Sequence, residues 1–163
     1  MINIFLILFL IITSASYADT IQFSASSLVL DIPTGITASG NTNFKNNELS
    51  ISADAFFYDT ATNKGTFNTN VIIKQNKSEL YGNSFFIDQQ TKYITGFGNI
   101  VLKTDSVNAK SDNLKIENYE ILTLLNNVKI KQNGSQISSN QLIYNLKTDT
   151  IISNKRTKLI YKE

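Results

Sequence analysis

A repeat of 28 or 29 residues is the feature of this sequence that most limits its fold. Asp54 is followed at that spacing by Asn83, Asp112 and Asn140, and it is preceded by Ser26. The copies read ASSLVLD from Ala25, ADAFFYD from Ala53, GNSFFID from Gly82, SDNLKIE from Ser111 and SNQLIYN from Ser139. A second pattern keeps the same step, with GNTNF from Gly40, TNVII from Thr69, GNIVL from Gly98, NNVKI from Asn126 and a blurred RTKLIY from Arg156. About five copies at a fixed period predict one stacked unit repeated along the chain.

Each copy alternates apolar and polar residues, as a strand with one buried face does. Ile51 and Ala53 follow this alternation, and so do Phe56 and Tyr58, but the step from Ala53 to Phe56 is three residues. An odd step turns the apolar residues to the other face unless the chain bulges or bends. We expect Asp54 to shape this bend, because Asp and Asn tolerate unusual backbone angles. Its amide and serine equivalents in other copies argue against a catalytic role.

Short polar breaks separate the apolar segments and predict turns at both ends of each hairpin. They fall at Asn46-Asn47, Asn76-Lys77, Thr104-Asp105 and Asn133-Gly134 on one side, and at Asp59–Gly65, Gln89–Lys92, Glu117–Tyr119 and Lys147–Asp149 on the other. The sequence therefore predicts an all-β domain of stacked antiparallel hairpins. Two facing sheets would share an apolar interior, as in a broadly defined jelly roll or an antiparallel solenoid, with edge strands open to further pairing.

The inward positions are predicted to form rows that run along the stack. The rows are Phe23, Ile51, Leu80, Ala109 and Ile137; Leu28, Phe56, Phe85, Leu114 and Leu142; Leu30, Tyr58, Ile87, Ile116 and Tyr144; Thr42, Val71, Ile100 and Val128; and Phe44, Ile73, Leu102, Ile130 and Leu159. From the residues alone, these rows are either an ordinary dry core or the lining of an apolar channel.

The N-terminus has the pattern of a secretory signal. Nine apolar residues, from Ile4 to Ile12, are too few for the roughly 20 that a membrane span needs. Ser16-Tyr17-Ala18 fits the small-x-small cleavage rule, so we expect residues 1–18 to be removed and residues 19–163 to form a single domain. The alternative is an uncleaved anchor that extends to Tyr17.

The composition excludes several kinds of site. The chain has no His and no Cys, which excludes a Ser-His-Asp triad and a Cys nucleophile and leaves almost no ligands for zinc, haem or iron–sulfur groups. We therefore predict no catalytic residue, no cofactor and no metal. A net charge of +2 is too small to indicate nucleic-acid binding.

The repeated pattern of Gly-Asn, an apolar alternation and then A-D-x-φ-x-Y-D, where φ is apolar, resembles the LptA/OstA family. The likeness is closest over LDIPTGITASGNTNFKNNELSISADAFFYD, Leu30 to Asp59, and it extends over nearly all of residues 19–163. The resemblance implies an open, twisted β-jellyroll that lies in the periplasm and holds the acyl chains of lipopolysaccharide. It also implies end-to-end self-association, with an LptC-like inner-membrane component and an LptD-like outer-membrane component as partners. The chain departs from the family in its slightly short length and its reduced charged tail.

On this interpretation the inward rows become candidate lipid contacts. The candidates are Phe23, Leu28, Leu30, Ile51, Phe56, Tyr58, Val71, Ile73, Phe85, Ile87, Ile100, Leu102, Leu114, Ile116, Val128, Ile130, Leu142 and Tyr144. Lys74, Lys103 and Lys131 are either contacts for lipid phosphate or solvated residues beside an apolar strand, and Asp59 and Asp88 are expected to form turns. The alternative functions are a membrane-anchored LptC-like component and a structural β-solenoid that binds no lipid.

Overall fold

The structure, a computed structural model, describes residues 21–31, 34–153 and 156–161. Its strands are β1 (Gln22–Ser24), β2 (Ser27–Asp31), β3 (Gly35–Lys45), β4 (Ser50–Asp59), β5 (Lys64–Gln75), β6 (Ser78–Asp88), β7 (Tyr93–Lys103), β8 (Val107–Glu117), β9 (Ile121–Gln132), β10 (Ser135–Asn145), β11 (Thr150–Ile152) and β12 (Thr157–Ile160). Within these ranges, no helix has the length and apolarity that a membrane span requires. The predicted signal, residues 1–18, lies outside the described residues.

All the strands belong to one antiparallel sheet, in which β3 to β10 are arranged side by side in chain order. The sheet has two open edges, and each edge is made of two short strands in line. β1 and β2 both pair with β3, while β11 and β12 both pair with β10. The turns lie close to where the polar breaks predict them. The all-β, open hairpin stack predicted from the sequence is confirmed, and its two facing layers prove to be halves of a single sheet.

Each long strand bends near its middle, where the pairing register shifts. The shifts fall between Ser52 and Ala55 on β4, and at the equivalent place in every pair from β3–β4 to β9–β10. This line of β-bulges divides the sheet into two halves. The turns at residues 46–49, 76–77, 104–106 and 133–134 form the first rim, and those at 60–63, 89–92, 118–120 and 146–149 form the second rim.

The left-handed backbone of the bend lies on a different strand from the one that the sequence indicates. Residues with positive φ at the bulges include Asn41, Asn70, Asn99 and Asn127, whereas Asp54 is not among them. Asp54 instead accepts a hydrogen bond of 2.8 Å from the Nδ2 of Asn70, on the neighbouring strand. The prediction of a kink near residue 54 is therefore correct, but the strained backbone belongs to the Gly-Asn pattern, and Asp54 braces it from the side.

The bend folds one face of the sheet onto itself. Phe44 pairs with Ile51 in the first-rim half, and Phe67 pairs with Phe56 in the second-rim half. Ile51 and Phe56 are five residues apart on β4, which would be about 17 Å along a straight strand. The rings of Phe44 and Phe67 nevertheless have centroids 5.6 Å apart. The apolar face is therefore enclosed between the two halves.

Candidate functional site

The interior between the halves is one continuous apolar cluster. Of the predicted lipid contacts, all but Leu28 and Leu30 are buried in it, with exposed fractions of 0–5 %. Leu28 is only partly buried, and Leu30 is 37 % exposed. In the predicted rows, Ile137 is also only partly buried and Leu159 is 61 % exposed.

The sequence interpretation missed part of the second-rim half. Ile36, Phe67, Ile94, Leu122 and Leu124 are buried in the same cluster, although they were not among the predicted contacts. Ile36, Gly65, Ile94 and Leu122 follow one another at 29, 29 and 28 residues, so the same period that marks the other rows also marks this one. The repeat is harder to see here because residues 65 and 96 are glycines, whereas other copies have large apolar residues at the equivalent positions.

The interior is aromatic at its N-terminal end. Phe23 and Phe44 project from the first-rim half, and Phe56, Tyr58 and Phe67 project from the second-rim half. Phe23 lies 5.4 Å from Phe56 and 5.2 Å from Tyr58 between ring centroids, so rings from opposite halves interlock. Aromatic pairs at these separations stabilise by more than their burial alone. Most of the remaining interior is lined by Ile, Leu and Val.

Both ends of this interior are uncovered. Leu30 on β2 lies directly opposite Ile36, and Leu159 on β12 lies directly opposite Ile137, so both side chains belong to the inner face. They are exposed because β2 and β12 are edge strands, which no other strand among the described residues covers. The apolar face therefore continues to each open edge of the sheet and is available to another strand or to an apolar ligand.

The long side of the interior is closed where the two rims meet. Lys92 on the second rim lies 2.5 Å from Glu48 on the first rim, and it also lies over the ring of Tyr119. Farther along, the hydroxyl of Ser106 donates to the carboxylate oxygens of Asp149 at 2.6 and 2.7 Å. We call these two contacts the rim clasps.

The second clasp is strengthened by Tyr144, whose hydroxyl also donates to Asp149. These hydrogen bonds, from Ser106 first and Tyr144 second, hold the pKa of the Asp149 carboxyl below its ordinary value. Burial, followed by the bond to Asp149, raises the pKa of Tyr144. Both shifts favour the pairing of a neutral tyrosine with a charged carboxylate, which keeps the clasp intact near neutral pH.

The rims separate between the two clasps. A cavity of about 350 Å³ lies there, with Asn76 and Ser78 on the first-rim side and Tyr119, Glu120 and Leu146 on the second-rim side. Its mixture of polar and apolar residues differs from the apolar interior beneath. The closed side of the interior is therefore interrupted by this cavity between the clasps.

The charged residues singled out in the sequence lie on the outside. Lys74 pairs with Glu79 at 2.9 Å, and the Lys103 ammonium lies 4.9 Å from the centre of the Tyr81 ring. Asp59 accepts hydrogen bonds from the backbone of Ala61 and Thr62, as a turn-forming residue does, and Asp88 makes the same pattern with Gln90 and Thr91. Among the described residues, no group of three acidic, His or Cys side chains is placed to hold a metal ion.

The comparisons with known proteins agree with this geometry. The sequence profile of the family described as "LptA/(LptD N-terminal domain) LPS transport protein" matches residues 50–150, which is more than half of the chain. The fold is similar to that of LptH from Pseudomonas aeruginosa, the LptA-homologous periplasmic component of its lipopolysaccharide transport device, with a TM-score of 0.63, 13 % identity, and coverage of 71 % of this chain and 95 % of that one. No curated protein matches the sequence significantly. The chain therefore belongs to the LptA and LptD N-terminal domain family of lipopolysaccharide transport proteins, which is not a family of enzymes.

Proposed function

We propose that the protein is a periplasmic bridge that binds lipopolysaccharide and carries it from the inner to the outer membrane. Residues 1–18 direct export and are removed, and residues 19–163 form the working domain. The interior shields the acyl chains, and copies join end to end through β2 and β12 or through LptC-like and LptD-like partners. The observation that carries the proposal is an apolar face that runs the length of the sheet and stays uncovered at Leu30 and Leu159.

An apolar interior lowers the free-energy cost of carrying acyl chains through water. Moving one CH₂ group from water into an apolar environment gains about 0.8 kcal/mol, so a lipid with several acyl chains does not cross water at a useful rate. A continuous apolar path removes that barrier. Carriage of this kind requires no reactive side chain, which agrees with a chain that has no His or Cys.

The packed interior has to open before it accepts an acyl chain. The first rim clasp is the place where this opening costs little. Glu48 and Lys92 are both partly exposed, and an exposed ion pair contributes at most about 1 kcal/mol. Lipid entry from the side, through the cavity beside Tyr119, then replaces contacts between the two halves with contacts to acyl chains.

Two neighbouring residues give a matched test, because Ile116 faces the interior and Lys115 faces the solvent on the same strand. A diazirine amino acid at position 116, with illumination in cells, is expected to label lipopolysaccharide, and the same residue at position 115 is expected to label little. Equal labelling at both positions, or none at position 116, would reject lipid carriage in the interior.

The structural solenoid remains the rival, and the low exposure of the core is the observation that favours it. It predicts that position 116 labels only neighbouring protein. The anchored LptC-like alternative is separated by the intact mass of the exported protein, since a mass that includes residues 1–18 would support an anchor.

A further inference from the structure

The outer face of the first-rim half carries an unusual concentration of lysines near the C-terminal edge. Lys103, Lys110, Lys129, Lys131 and Lys158 all project from strands β7, β8, β9 and β12 and are exposed. We call this surface the basic face. The whole chain has a net charge of only +2, so its positive charge is distributed unevenly.

The register places like charges side by side on this face. Lys110 lies directly opposite Lys129, and Lys158 lies opposite Ser138, which in turn lies opposite Lys129. Like charges directly opposite one another destabilise a sheet. The fold therefore gains nothing from this arrangement.

Lys103 has Glu79 directly opposite it, whereas the other four lysines of the basic face have no carboxylate partner among the described residues. On the N-terminal side of the same half, Lys74 pairs with Glu79, and Lys77 pairs with Asp105. No described carboxylate makes an ion pair with Lys110, Lys129, Lys131 or Lys158. Asp112 lies on β8 in the bulge, where it accepts a hydrogen bond of 2.7 Å from Asn127.

The basic face also has a concave part. A cavity of about 510 Å³ lies against Lys129, Arg156 and Lys158, and its other lining residues include Ser138, Ser139 and Asn140. This volume is in the range of small-ligand sites. Three cations favour a phosphate group, while hydroxyl and amide side chains suit the hydroxyls of a sugar.

We propose that this cavity binds a phosphorylated sugar. Lys129, Arg156 and Lys158 take the phosphate, and Ser138 and Asn140 bind the ring hydroxyls. The site lies on the outer face, away from the apolar interior, so it stands or falls independently of the proposed lipid carriage.

The test is a titration of the isotope-labelled 19–163 chain with glucose 1-phosphate. Binding is monitored through changes in the chemical shifts of the backbone amides. The expected result is a saturable shift confined to residues around Lys129, Ser138 and Lys158, with no saturation by glucose. The double variant K129Q/K158Q is expected to bind about tenfold more weakly. K45Q/K115Q removes two exposed lysines elsewhere and is expected to bind as the unchanged protein does.

Three results would overturn the proposal. The first is equal binding by K129Q/K158Q and K45Q/K115Q, and the second is a saturable shift with glucose alone. The third result comes from a binding assay with phosphatidylglycerol vesicles, in which phosphatidylcholine vesicles are the neutral control. If K129Q/K158Q loses binding to the anionic vesicles while glucose 1-phosphate never saturates the unchanged protein, the basic face is a membrane surface and not a sugar-phosphate site.

Discussion

The ring of Phe44 packs against the ring of Tyr58, with 5.8 Å between their centroids. The strand register makes this contact surprising, because Phe44 pairs with Ile51, seven residues before Tyr58 on β4. A straight strand would separate those positions by about 23 Å. The contact therefore depends on the bend and joins the two halves of the sheet at the N-terminal end of the interior.

Replacing Phe44 with Ala is expected to weaken the packing between the two halves of the sheet. Phe44 is 1 % exposed and touches rings from the opposite half, so the loss should lower the free energy of unfolding by about 3–5 kcal/mol. Phe97→Ala is the matched control, because Phe97 is 53 % exposed on the outer face, and it should change stability by less than about 0.5 kcal/mol. Urea denaturation measures both. Similar losses for the two variants would contradict the folded-over sheet.

The second prediction concerns Gly96, which lies directly opposite Phe85. A Cβ at position 96 would lie 2.4 Å from Cε1 of the fully buried Phe85 ring. The ring has little room to move, since Gly82 lies close to its other side. Gly96→Ala is therefore expected to lower the free energy of unfolding by about 1–3 kcal/mol.

A second substitution tests the cause of that loss. Phe85→Leu removes the ring, so Gly96→Ala should cost much less in a Phe85→Leu background than it does alone. Thermal or urea denaturation of the four proteins measures this coupling. If the losses in the free energy of unfolding are additive, Gly96 is needed for its backbone conformation and not because it leaves space for the Phe85 ring.

The bend illustrates how far the sequence predicts this fold. The three-residue step between Ala53 and Phe56 predicts the bulge, because alternation in a strand is a local property. The sequence does not reveal that Asn70 holds the left-handed angle while Asp54 braces it, since that division depends on which strand of a pair contains the extra residue. Thr69, which also has positive φ, makes the assignment harder still, because threonine rarely adopts that angle.

The rim clasps could not be predicted in the same way. Glu48 and Lys92 are 44 residues apart, and Ser106 and Asp149 are 43 apart, so the two clasps occupy equivalent places two copies apart, but their side chains differ and no repeated motif marks them. Their meeting is set by the angle at which the halves close and by the twist of the sheet. Periodicity identifies which side chains face inward, but the closure of the interior depends on three-dimensional geometry. The repeated motif, by contrast, predicts the family, and that prediction is confirmed.

The third prediction follows from Tyr58, whose pKa is raised to about 12 by burial and, to a smaller extent, by Asp59. Its hydroxyl lies 3.2 Å from Asn63 Oδ1 and 3.1 Å from Gln89 Oε1 and donates to one of them at a time. Between about pH 10 and pH 12 the unfolded chain loses this proton while the folded chain keeps it, so stability falls as the pH rises. The loss is at most about 3 kcal/mol, and solvent near the rim reduces it.

Tyr58→Phe separates this effect from the titration of other tyrosines. The variant has no hydroxyl to ionise at position 58, so its stability should fall less steeply than that of the unchanged protein between pH 10 and pH 12. Denaturation at a series of pH values measures the two slopes. Parallel curves would mean that Tyr58 titrates at its ordinary pKa in the folded chain.

The fourth prediction concerns association through the sheet edges. Leu159 extends the inner face onto β12, where it is exposed, so a neighbouring copy that pairs with β12 would cover it. Leu159→Asp is expected to shift concentration-dependent oligomers toward monomer in sedimentation velocity. Phe97→Asp, which adds the same charge at an exposed position away from the edges, should leave association unchanged. A strictly monomeric unchanged protein at high concentration would contradict edge pairing.

The last prediction tests whether lipid enters between the rims. The chain has no Cys, so Glu48→Cys and Lys92→Cys introduce the only thiols, one on each side of the first clasp. A short bis-maleimide joining them should hold the rims together and reduce the capture of lipopolysaccharide, because the interior can no longer open along that side.

The same double variant, treated with a maleimide that has a single reactive group, is the control, since it carries the same modifications without the link. It should bind at least as well as the unchanged protein, because the ion pair between Glu48 and Lys92 is gone. Photolabelling of lipopolysaccharide from position 116 measures capture in each case. Undiminished labelling in the linked protein would show that acyl chains enter through the open ends near Leu30 or Leu159, and that the rim clasps do not control access.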